Sequence, residues 1–359
     1  MAGSTPTPAS TNAPAEPAGA TVPSEPPLRL VEVAPGVFAG LQPPQRRFRD
    51  CNAAVLVAGD EVMLVDGPQR LAATRMLVDE FGLADPKRRL RLVTTHWHVD
   101  HSLAATFVSG LRPAQAPAPT RLGHAGLAPL LAEKGAVQLR ERKVGLADAI
   151  RGATEILDRG RHIDGPLTDT ERAEVEAFVL EARAEVDTLA TIPSLLPPTR
   201  AIAEPTTTKL GDHVVELIPL QAHTDADLVV YLPGTRVLIA GDVVDELPFA
   251  GHGHPYRWLL ALQQLRERPI DTIIAGHGDV LGPEHLDRQI ELVRVVHAQA
   301  CMALAAGRAP RAQYEEWKAT AEFTAVHDAW VTDETSGRAF ASFIPEMLVQ
   351  AAEDAEGCR

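Results

Sequence analysis

The stretch Thr95-His96-Trp97-His98-Val99-Asp100-His101 places three histidines and one aspartate within six residues, directly after an apolar run. In an extended chain, residues two apart point to the same side, so His96 and His98 can bind one cation together. As the chain turns into the next helix, Asp100 and His101 diverge and can face a neighbouring cation. Imidazole and carboxylate suit a borderline cation such as zinc. The alternative, polar residues that merely cap a strand end, is weak for four such residues at this spacing.

The His-x-His-x-Asp-His run resembles the second motif of the metallo-β-lactamase superfamily. Four further elements of that family's pattern occur in the expected order, namely Asp66 in Val-Asp-Gly, His223 in Ala-His-Thr, Asp242 in Ala-Gly-Asp and His277 in Ala-Gly-His-Gly. The resemblance spans residues 28–306 and covers the N-terminal lead, the segment 121–200 and the C-terminal helices less well. It implies a four-layer αββα sandwich with the metals at one end.

The resemblance also implies a ligand set. A first ion would be held by His96, His98 and His223, a second by Asp100, His101 and His277, and Asp242 would bridge the two. Asp66 resembles the carboxylate that orients a ligand without touching metal; an ordinary turn aspartate before Gly67 is the alternative. Taken alone, His223, Asp242 or His277 would more often be an ordinary loop residue, and their joint occurrence after strand-like segments reverses that expectation.

Such a site predicts hydrolysis. Two zinc ions per chain are expected, with iron or manganese as alternatives, and a bound ion lowers the pKa of its water to about 7, which supplies a hydroxide at neutral pH. The resemblance implies that Asp100 is also catalytic, as a group that orients or shuttles a proton. The expected function is therefore a dinuclear metal-dependent hydrolase that attacks a small ester, thioester, lactone or amide with a metal-bound hydroxide, and a β-lactam is within that range.

Departures from the family pattern narrow the subfamily. The second-site residue is His101 rather than Arg, and Asp242 is present, so the class B1-type β-lactamase pattern with its cysteine ligand does not fit. The lactonase-like pattern is also absent, because His223-Thr224 is followed by Asp225-Ala226-Asp227 rather than by Pro-Gly-His. The chain is most similar to a broad bacterial group that includes sulfur-oxidation-associated and quinoprotein-relay metallohydrolases. Two alternatives stay open: an iron-dependent sulfur dioxygenase of the same fold, and a metal-binding protein without turnover.

A glycine-rich segment, Gly251-His252-Gly253-His254-Pro255-Tyr256, follows Asp242 and predicts contacts near the metals. His252, His254 and Tyr256 are the candidates for contact with a small-molecule substrate. A flexible loop with exposed histidines is the alternative.

The wider pattern predicts a mixed α/β chain. Short β-branched runs at 28–33, 37–41, 51–58 and 61–65 predict strands, and so do 90–95, 206–220, 228–232, 237–240 and 271–275. Helices are expected at 68–81, from Ser102, at 256–268 and at 283–306. We expect the chain to be divided into three parts: a disordered Pro/Ala-rich lead (1–27), a metal-binding domain (28–306) with a helical insertion at about 121–200, and a C-terminal helical extension (307–359).

The C-terminal extension carries an apolar stripe, and Pro345 within it is expected to break or restart the helix. The stripe consists of Phe340, Phe343, Ile344, Met347, Leu348 and Ala351. Packing into the core is the plainer interpretation of such a stripe, and a homodimer contact is the alternative.

Composition excludes several classes of protein. A formal net charge of -14 argues against nucleic acid as a partner, because phosphate binding needs clustered Lys and Arg. No apolar stretch approaches the roughly 20 residues of a membrane helix, and the N-terminus lacks the features of a signal peptide, which favours a cytoplasmic location. Cys51, Cys301 and Cys358 are widely spaced and odd in number, so neither a disulfide nor a thiolate metal site is expected.

Overall fold

The structure is a computed structural model that describes residues 28–162 and 165–358. The expected disordered lead, 1–27, lies outside the described residues. The strands are β1 (Arg29–Ala34), β2 (Val37–Leu41), β3 (Ala53–Ala58), β4 (Glu61–Val65), β5 (Arg89–Val93), β6 (Thr120–His124), β7 (Arg161–His162), β8 (Gly165–Pro166), β9 (Arg200–Ile202), β10 (Thr206–Leu210), β11 (His213–Leu220), β12 (Asp227–Leu232), β13 (Val237–Gly241), β14 (Thr272–Ala275) and β15 (Val280–Leu281).

Helices alternate with these strands, as expected for a mixed α/β chain. They are α1 (Leu71–Glu80), α2 (Val99–Leu111), α3 (Leu127–Leu130), α4 (Ala136–Arg159), α5 (Asp169–Ala190), α6 (Pro255–Arg266), α7 (Glu284–Ala305), α8 (Pro310–Trp317), α9 (Ala321–Trp330) and α10 (Glu334–Asp354). A short 3-10 helix at Pro44–Arg46 precedes β3, and a π-helical turn at Leu131–Gly135 joins α3 to α4.

Two mixed sheets form the centre of the molecule. One has the strand order β1-β2-β3-β4-β5-β6-β9 and the other the order β10-β11-β12-β13-β14-β15. Neighbouring residues of one strand face opposite sides of its sheet. Thus Leu56 of β3 packs between the two sheets, whereas Val55 packs against the helices α1 and α2. Likewise, Ile239 of β13 lies between the sheets and Leu238 faces α6 and α7. The four-layer αββα sandwich is therefore confirmed.

The sheet pairing brings four strand ends to one edge of the sandwich. β4 and β5 run parallel with Val65 beside Val93, and β13 and β14 run parallel with Gly241 beside Ala275. The residues that follow parallel strands leave the sheet at the same edge, as the carboxyl ends of such strands do in open α/β sheets. Every segment in which the sequence predicts a metal ligand, apart from that of His223, follows one of these strands directly.

The segment between β6 and β9 is mainly helical, as expected for the insertion. It comprises α3, the π-helical turn, α4 and α5, and a capping box between Thr168 and Glu171 starts α5. Leu131 and Leu139 of this segment pack with Trp97 of the histidine-rich stretch. Gln138 accepts a hydrogen bond from the backbone N–H of Val99 at 2.9 Å, so the insertion satisfies a free donor at the start of α2.

The apolar stripe of the C-terminal extension is packed inside the chain. Phe340, Ile344, Met347, Leu348 and Ala351 are buried in the cluster that also covers α6 and α7. The core interpretation therefore holds for these residues.

Three sequence predictions were wrong in detail. Helix α10 continues through Pro345, because the carbonyl that loses its partner belongs to the solvent-exposed Ala341. Helix α2 begins at Val99 rather than at Ser102. Cys301 and Cys358, 57 residues apart, form a disulfide, because α10 packs along α7 and brings the C-terminal tail to the end of that helix. The third cysteine, Cys51, is free and buried. Among the described residues, no helix combines the length and apolarity that crossing a membrane requires.

Candidate metal centre

Seven side chains converge at the edge of the sandwich where the strands end. They come from the loop after β5, the first turn of α2, the β11–β12 loop and the loops after β13 and β14. They form two groups of donor atoms, and within each group all donors lie within 4.8 Å of one another: His96, His98, His223 and Asp242 in the first group, and Asp100, His101 and His277 in the second. All seven residues that the sequence predicts as ligands are thus brought together.

The first group is buried and dominated by imidazoles. His96 Nε2 lies 2.9 Å from His98 Nδ1, which in turn lies 3.3 Å from His223 Nε2. Asp242 Oδ2 lies 3.4 Å from His223 Nε2 and 3.6 Å from His96 Nε2. Donors about 2.0–2.1 Å from a tetrahedral zinc are separated by roughly 3.3–3.4 Å, so this spacing fits such an ion.

The second group is smaller and opens toward solvent on one side. His277 Nε2 lies 3.4 Å from His101 Nε2 and 3.4 Å from Asp100 Oδ2. Asp100 Oδ2 also lies 3.8 Å from His101 Nε2. The Asp100 side chain is 19% exposed, whereas that of His101 is fully buried. An ion held by these donors would keep one side accessible to a further ligand.

Asp242 faces both groups with different oxygens. Its Oδ2 lies beside the first group, while its Oδ1 lies 2.9 Å from His101 Nε2 and 3.5 Å from His277 Nε2. Oδ1 is buried and has no well-oriented hydrogen-bond donor among the described residues, although His101 Nε2 is close. A buried acceptor without a donor is costly. A cation between Asp242 Oδ1 and the facing ring nitrogen would remove that cost, so the residues present fit a metal pair.

Asp66 sets the orientation of two of the imidazoles. It follows β4 with a φ of 53°, a left-handed conformation that aspartate adopts more readily than most residues. Its Oδ2 accepts a hydrogen bond from His101 Nδ1 at 2.8 Å and one from the Thr95 hydroxyl at 2.6 Å. The Thr95 oxygen is then the acceptor for His96 Nδ1 at 3.0 Å. With a cation bound, both rings would keep their proton on Nδ1 and present an unprotonated Nε2 to the centre.

The glycine-rich segment contributes less than its sequence suggests. His252 Nδ1 lies 2.9 Å from His98 Nε2, so it fixes the ring whose Nδ1 faces the first group. His254 instead pairs with Asp225 at 2.8 Å, and Tyr256 stacks against His297 with ring centroids 5.3 Å apart. Of the three substrate-contact candidates, the structure places only His252 beside the donor cluster.

Burial and neighbouring charges divide the histidines by pKa. Burial lowers the pKa of His96 and His98 well below the usual range, and it lowers that of His223 to about 4. Burial also disfavours charge on His101 and His277, but Asp242 and Asp100 outweigh it, so the pKa of His101 lies well above its usual range and that of His277 is about 10. The first group therefore offers neutral ligands, whereas the second holds protons that a cation must displace.

Two residues that position the centre have no motif of their own. Asn52 donates from Nδ2 to the carbonyls of Ala275 and Gly278, each at 3.0 Å, and so holds the turn that carries His277. Asp245 accepts a hydrogen bond from the His277 backbone N–H at 2.7 Å. Its position three residues after Asp242 was the one signal in the sequence that could have identified it; Asn52 offered none.

A cavity of about 210 Å³ opens above the donors. His98, Asp100, Asp242 and His277 line it, so both groups can be reached from the same space. A small molecule entering this cavity would meet the donor atoms directly.

Comparisons with known proteins agree with this geometry. A sequence model of the metallo-beta-lactamase superfamily matches residues 46–277, more than half of the 359 residues. The fold is similar to that of the DIM-1 metallo-beta-lactamase, with a TM-score of 0.50 and 18% identity over 75% of this chain and 98% of that one. The sec-alkylsulfatase Pisa1 from Pseudomonas sp. gives a TM-score of 0.57 and 15% identity over 92% of this chain and 50% of that one. A search of curated proteins finds no sequence match.

Proposed function

Because the chain belongs to the metallo-beta-lactamase superfamily, we propose that it is a dinuclear metal-dependent hydrolase of small esters, thioesters, lactones or amides, with β-lactams within that range. The observation that carries the proposal is the pair of donor groups that face the two oxygens of Asp242. We propose two zinc ions as the occupants, since imidazole and carboxylate donors suit zinc, and iron or manganese would use the same donors.

The bound ions would supply a hydroxide near neutral pH and neutralise the oxyanion that forms on a carbonyl. The protein's part is to hold the donors and to manage protons. Asp66 and His252 fix the ring orientations described above. Asp100 lines the cavity with a partly exposed carboxylate, and the neighbouring imidazoles overcome the effect of burial and lower its pKa to about 2. An ionised carboxylate at that place can accept a hydrogen bond from the attacking water and so orient it.

Metal content separates the proposal from an iron-dependent sulfur dioxygenase of the same fold. A one-iron oxygenase does not need Asp100, His101 and His277 as a second group. About two zinc per chain in elemental analysis supports the hydrolase, and about one iron supports the oxygenase.

A hydrolysis screen tests the reaction itself. Zinc-loaded protein is assayed on a panel of esters, thioesters, lactones, amides and β-lactams beside His98→Ala and Asp242→Ala. His213→Ala is the matched control, because His213 lies on β11 outside both donor groups. The proposal predicts activity in the wild type and the control and its loss in both ligand variants. Activity that survives both ligand substitutions would show that the metal centre is not the catalyst, and inactivity on the whole panel would favour a non-catalytic metal-binding protein.

The cellular location is a separate proposal. The cytoplasmic location favoured by the N-terminal composition conflicts with the Cys301–Cys358 disulfide, because cytoplasmic thiols are kept reduced. We therefore propose an oxidising compartment. Alkylation of free thiols after the protein is trapped in acid and denatured would show one modified cysteine per chain, Cys51, in an oxidising compartment and three in a reducing one.

A further inference from the structure

We propose that the cavity above the donor groups selects small substrates that carry both a compact apolar group and a carboxylate, and that Phe343 and Arg49 make this selection. The proposal deepens the proposed function and rests on it for the reaction, whereas binding at the cavity can be measured without turnover.

Three phenyl rings from separate parts of the chain form the apolar wall. Phe48 lies in the β2–β3 loop, Phe249 in the loop after β13, and Phe343 on α10. The ring centroids of Phe249 and Phe343 are 5.1 Å apart, and those of Phe48 and Phe343 are 6.5 Å apart. All three side chains are only half-buried, so each ring keeps apolar surface that a bound group can cover.

The size of the cavity limits what it can enclose. Its volume of about 210 Å³ is below the roughly 300–1,000 Å³ of pockets that enclose drug-sized ligands. The enclosed group is therefore of the size of one phenyl ring or a branched alkyl chain. A larger substrate would leave most of its bulk outside.

Among the described residues that line the cavity, Arg49 is the one arginine or lysine. It is exposed, lines the cavity, and its guanidinium has no ion pair or hydrogen bond within the part of the chain that the structure describes. The nearby Arg47 differs, since it pairs with Glu246 and Asp333. A planar guanidinium with free donors matches a carboxylate with two parallel hydrogen bonds. An unpaired Arg49 beside the apolar wall therefore favours a substrate that carries both kinds of group.

The position of Phe343 gives the C-terminal extension a part in specificity. Phe343 lies beyond residues 46–277, which the superfamily model matches. Its helix is held in place by the buried neighbours Ile344 and Met347, and the end of that helix by the disulfide. The extension thus contributes a fixed wall to the cavity, so the choice of apolar group depends on sequence outside the shared domain.

Matched thiol probes test both residues. 2-Mercapto-3-phenylpropionate, its carboxamide and 2-mercaptopropionate share a thiol that can reach the metal centre. They differ in charge or in the phenyl group. Their dissociation constants are measured by titration calorimetry on the zinc-loaded protein. We expect the phenyl acid to bind about tenfold more tightly than its amide, and about tenfold more tightly than the acid without phenyl, which is within the range of one charge-assisted hydrogen bond and one buried aromatic group.

The variants assign each preference to its residue. Arg49→Gln should reduce the acid-over-amide preference below about twofold, while the control Arg75→Gln, on the exposed side of α1, keeps it. Phe343→Ala should remove the phenyl preference, Phe343→Leu should restore part of it, and Phe323→Ala, on α9 and outside this cavity, should leave it unchanged. Thermal melting identifies any variant that has lost its fold.

Equal binding of acid and amide by the wild type, failure of every probe to bind, or a preference that survives both Arg49→Gln and Phe343→Ala would overturn the inference. Probe selectivity that is intact in a protein that hydrolyses nothing would refute the proposed function alone. Hydrolysis without probe selectivity would refute only the selection by Arg49 and Phe343.

Discussion

Asp66→Asn is the most informative single change, because the carboxylate of Asp66 accepts three hydrogen bonds and touches neither donor group's metal-facing atoms. Oδ1 accepts from the Thr95 backbone N–H at 2.8 Å, and Oδ2 accepts from the Thr95 hydroxyl and from His101 Nδ1. Asparagine has the same shape and also tolerates the left-handed backbone at this position. The change therefore removes the charge and one acceptor without creating a cavity.

The side-chain amide can keep its oxygen on the Thr95 N–H, but its NH₂ group then faces His101 Nδ1 and the Thr95 hydroxyl. His101 must move its proton to Nε2, the atom that faces the second group, and the Thr95 hydroxyl turns toward His96. A lost charge-assisted hydrogen bond costs about 1.5–3 kcal/mol, and losing the partner of a ligating histidine costs about 10–100-fold in metal affinity. We expect Asp66→Asn to reduce the free energy of zinc binding at the second group by about 2 kcal/mol, which corresponds to about a 30-fold lower affinity. The loss of affinity at the first group should be smaller.

The assay is zinc titration against a chromophoric chelator, which resolves the two binding steps. Asp60→Asn, in the exposed turn between β3 and β4, is the control and should bind both ions like the wild type. Thr95→Val should weaken the first ion more than the second, because it removes the hydroxyl that links Asp66 to His96 and leaves the Asp66–His101 hydrogen bond in place. Wild-type affinity for both ions in Asp66→Asn would refute the assignment of Asp66 as the group that fixes the two rings.

Further predictions concern the bridging residue Asp242, the protons released on zinc binding and the disulfide of the C-terminal extension. Gly276→Ala should reduce bound zinc from about two to about one per chain in elemental analysis, because a Cβ there overlaps Asp242 Oδ1. Zinc binding at pH 7 should release at least about one proton, because the metal-free pKa of His277 is about 10, and this release should fall as the pH rises through that pKa; calorimetry in buffers of different ionisation enthalpy measures it. Cys301→Ser should lower the free energy of unfolding by about 2–4 kcal/mol in denaturant titrations, because the disulfide spans 57 residues.

Each of these has a result that contradicts it. Gly110→Ala, at a position in α2 with open space, should leave the zinc content unchanged. An equal loss of zinc in this variant would mean that the effect of Gly276→Ala does not come from overlap with Asp242. Release of no protons at pH 7 would mean that the second group is already deprotonated without metal. Unchanged unfolding of Cys301→Ser would mean that the tail is held without the disulfide.

Much of the fold could be predicted because strand and helix periods are local properties. The buried strands at 228–232 and 237–240 were found almost residue for residue, since a sheet covered on both faces needs continuous apolar runs. The donor set was predicted because the His-x-His-x-Asp-His run and the later residues His223, Asp242 and His277 resemble the motifs of the metallo-β-lactamase superfamily. Helix starts were less certain, and α2 begins three residues earlier because Gln138, 39 residues further along, satisfies its first N–H.

The features that were missed depend on contacts between distant segments. Asn52 donates hydrogen bonds to carbonyls more than 220 residues away, and the Cys301–Cys358 pairing needs α10 to pack along α7. The aromatic wall joins Phe48, Phe249 and Phe343, which share no spacing and meet only in the folded chain. Sequence periodicity carries no information about contacts between distant residues, so the cavity and its selectivity could be argued only from the structure.

The most direct measurement is anomalous diffraction at the zinc edge from crystals of the zinc-loaded protein. We expect two peaks on either side of Asp242, one among His96, His98 and His223 and the other among Asp100, His101 and His277. A single peak, or peaks that lie away from these side chains, would contradict the central claim that the chain holds a pair of metal ions at this edge of the sandwich.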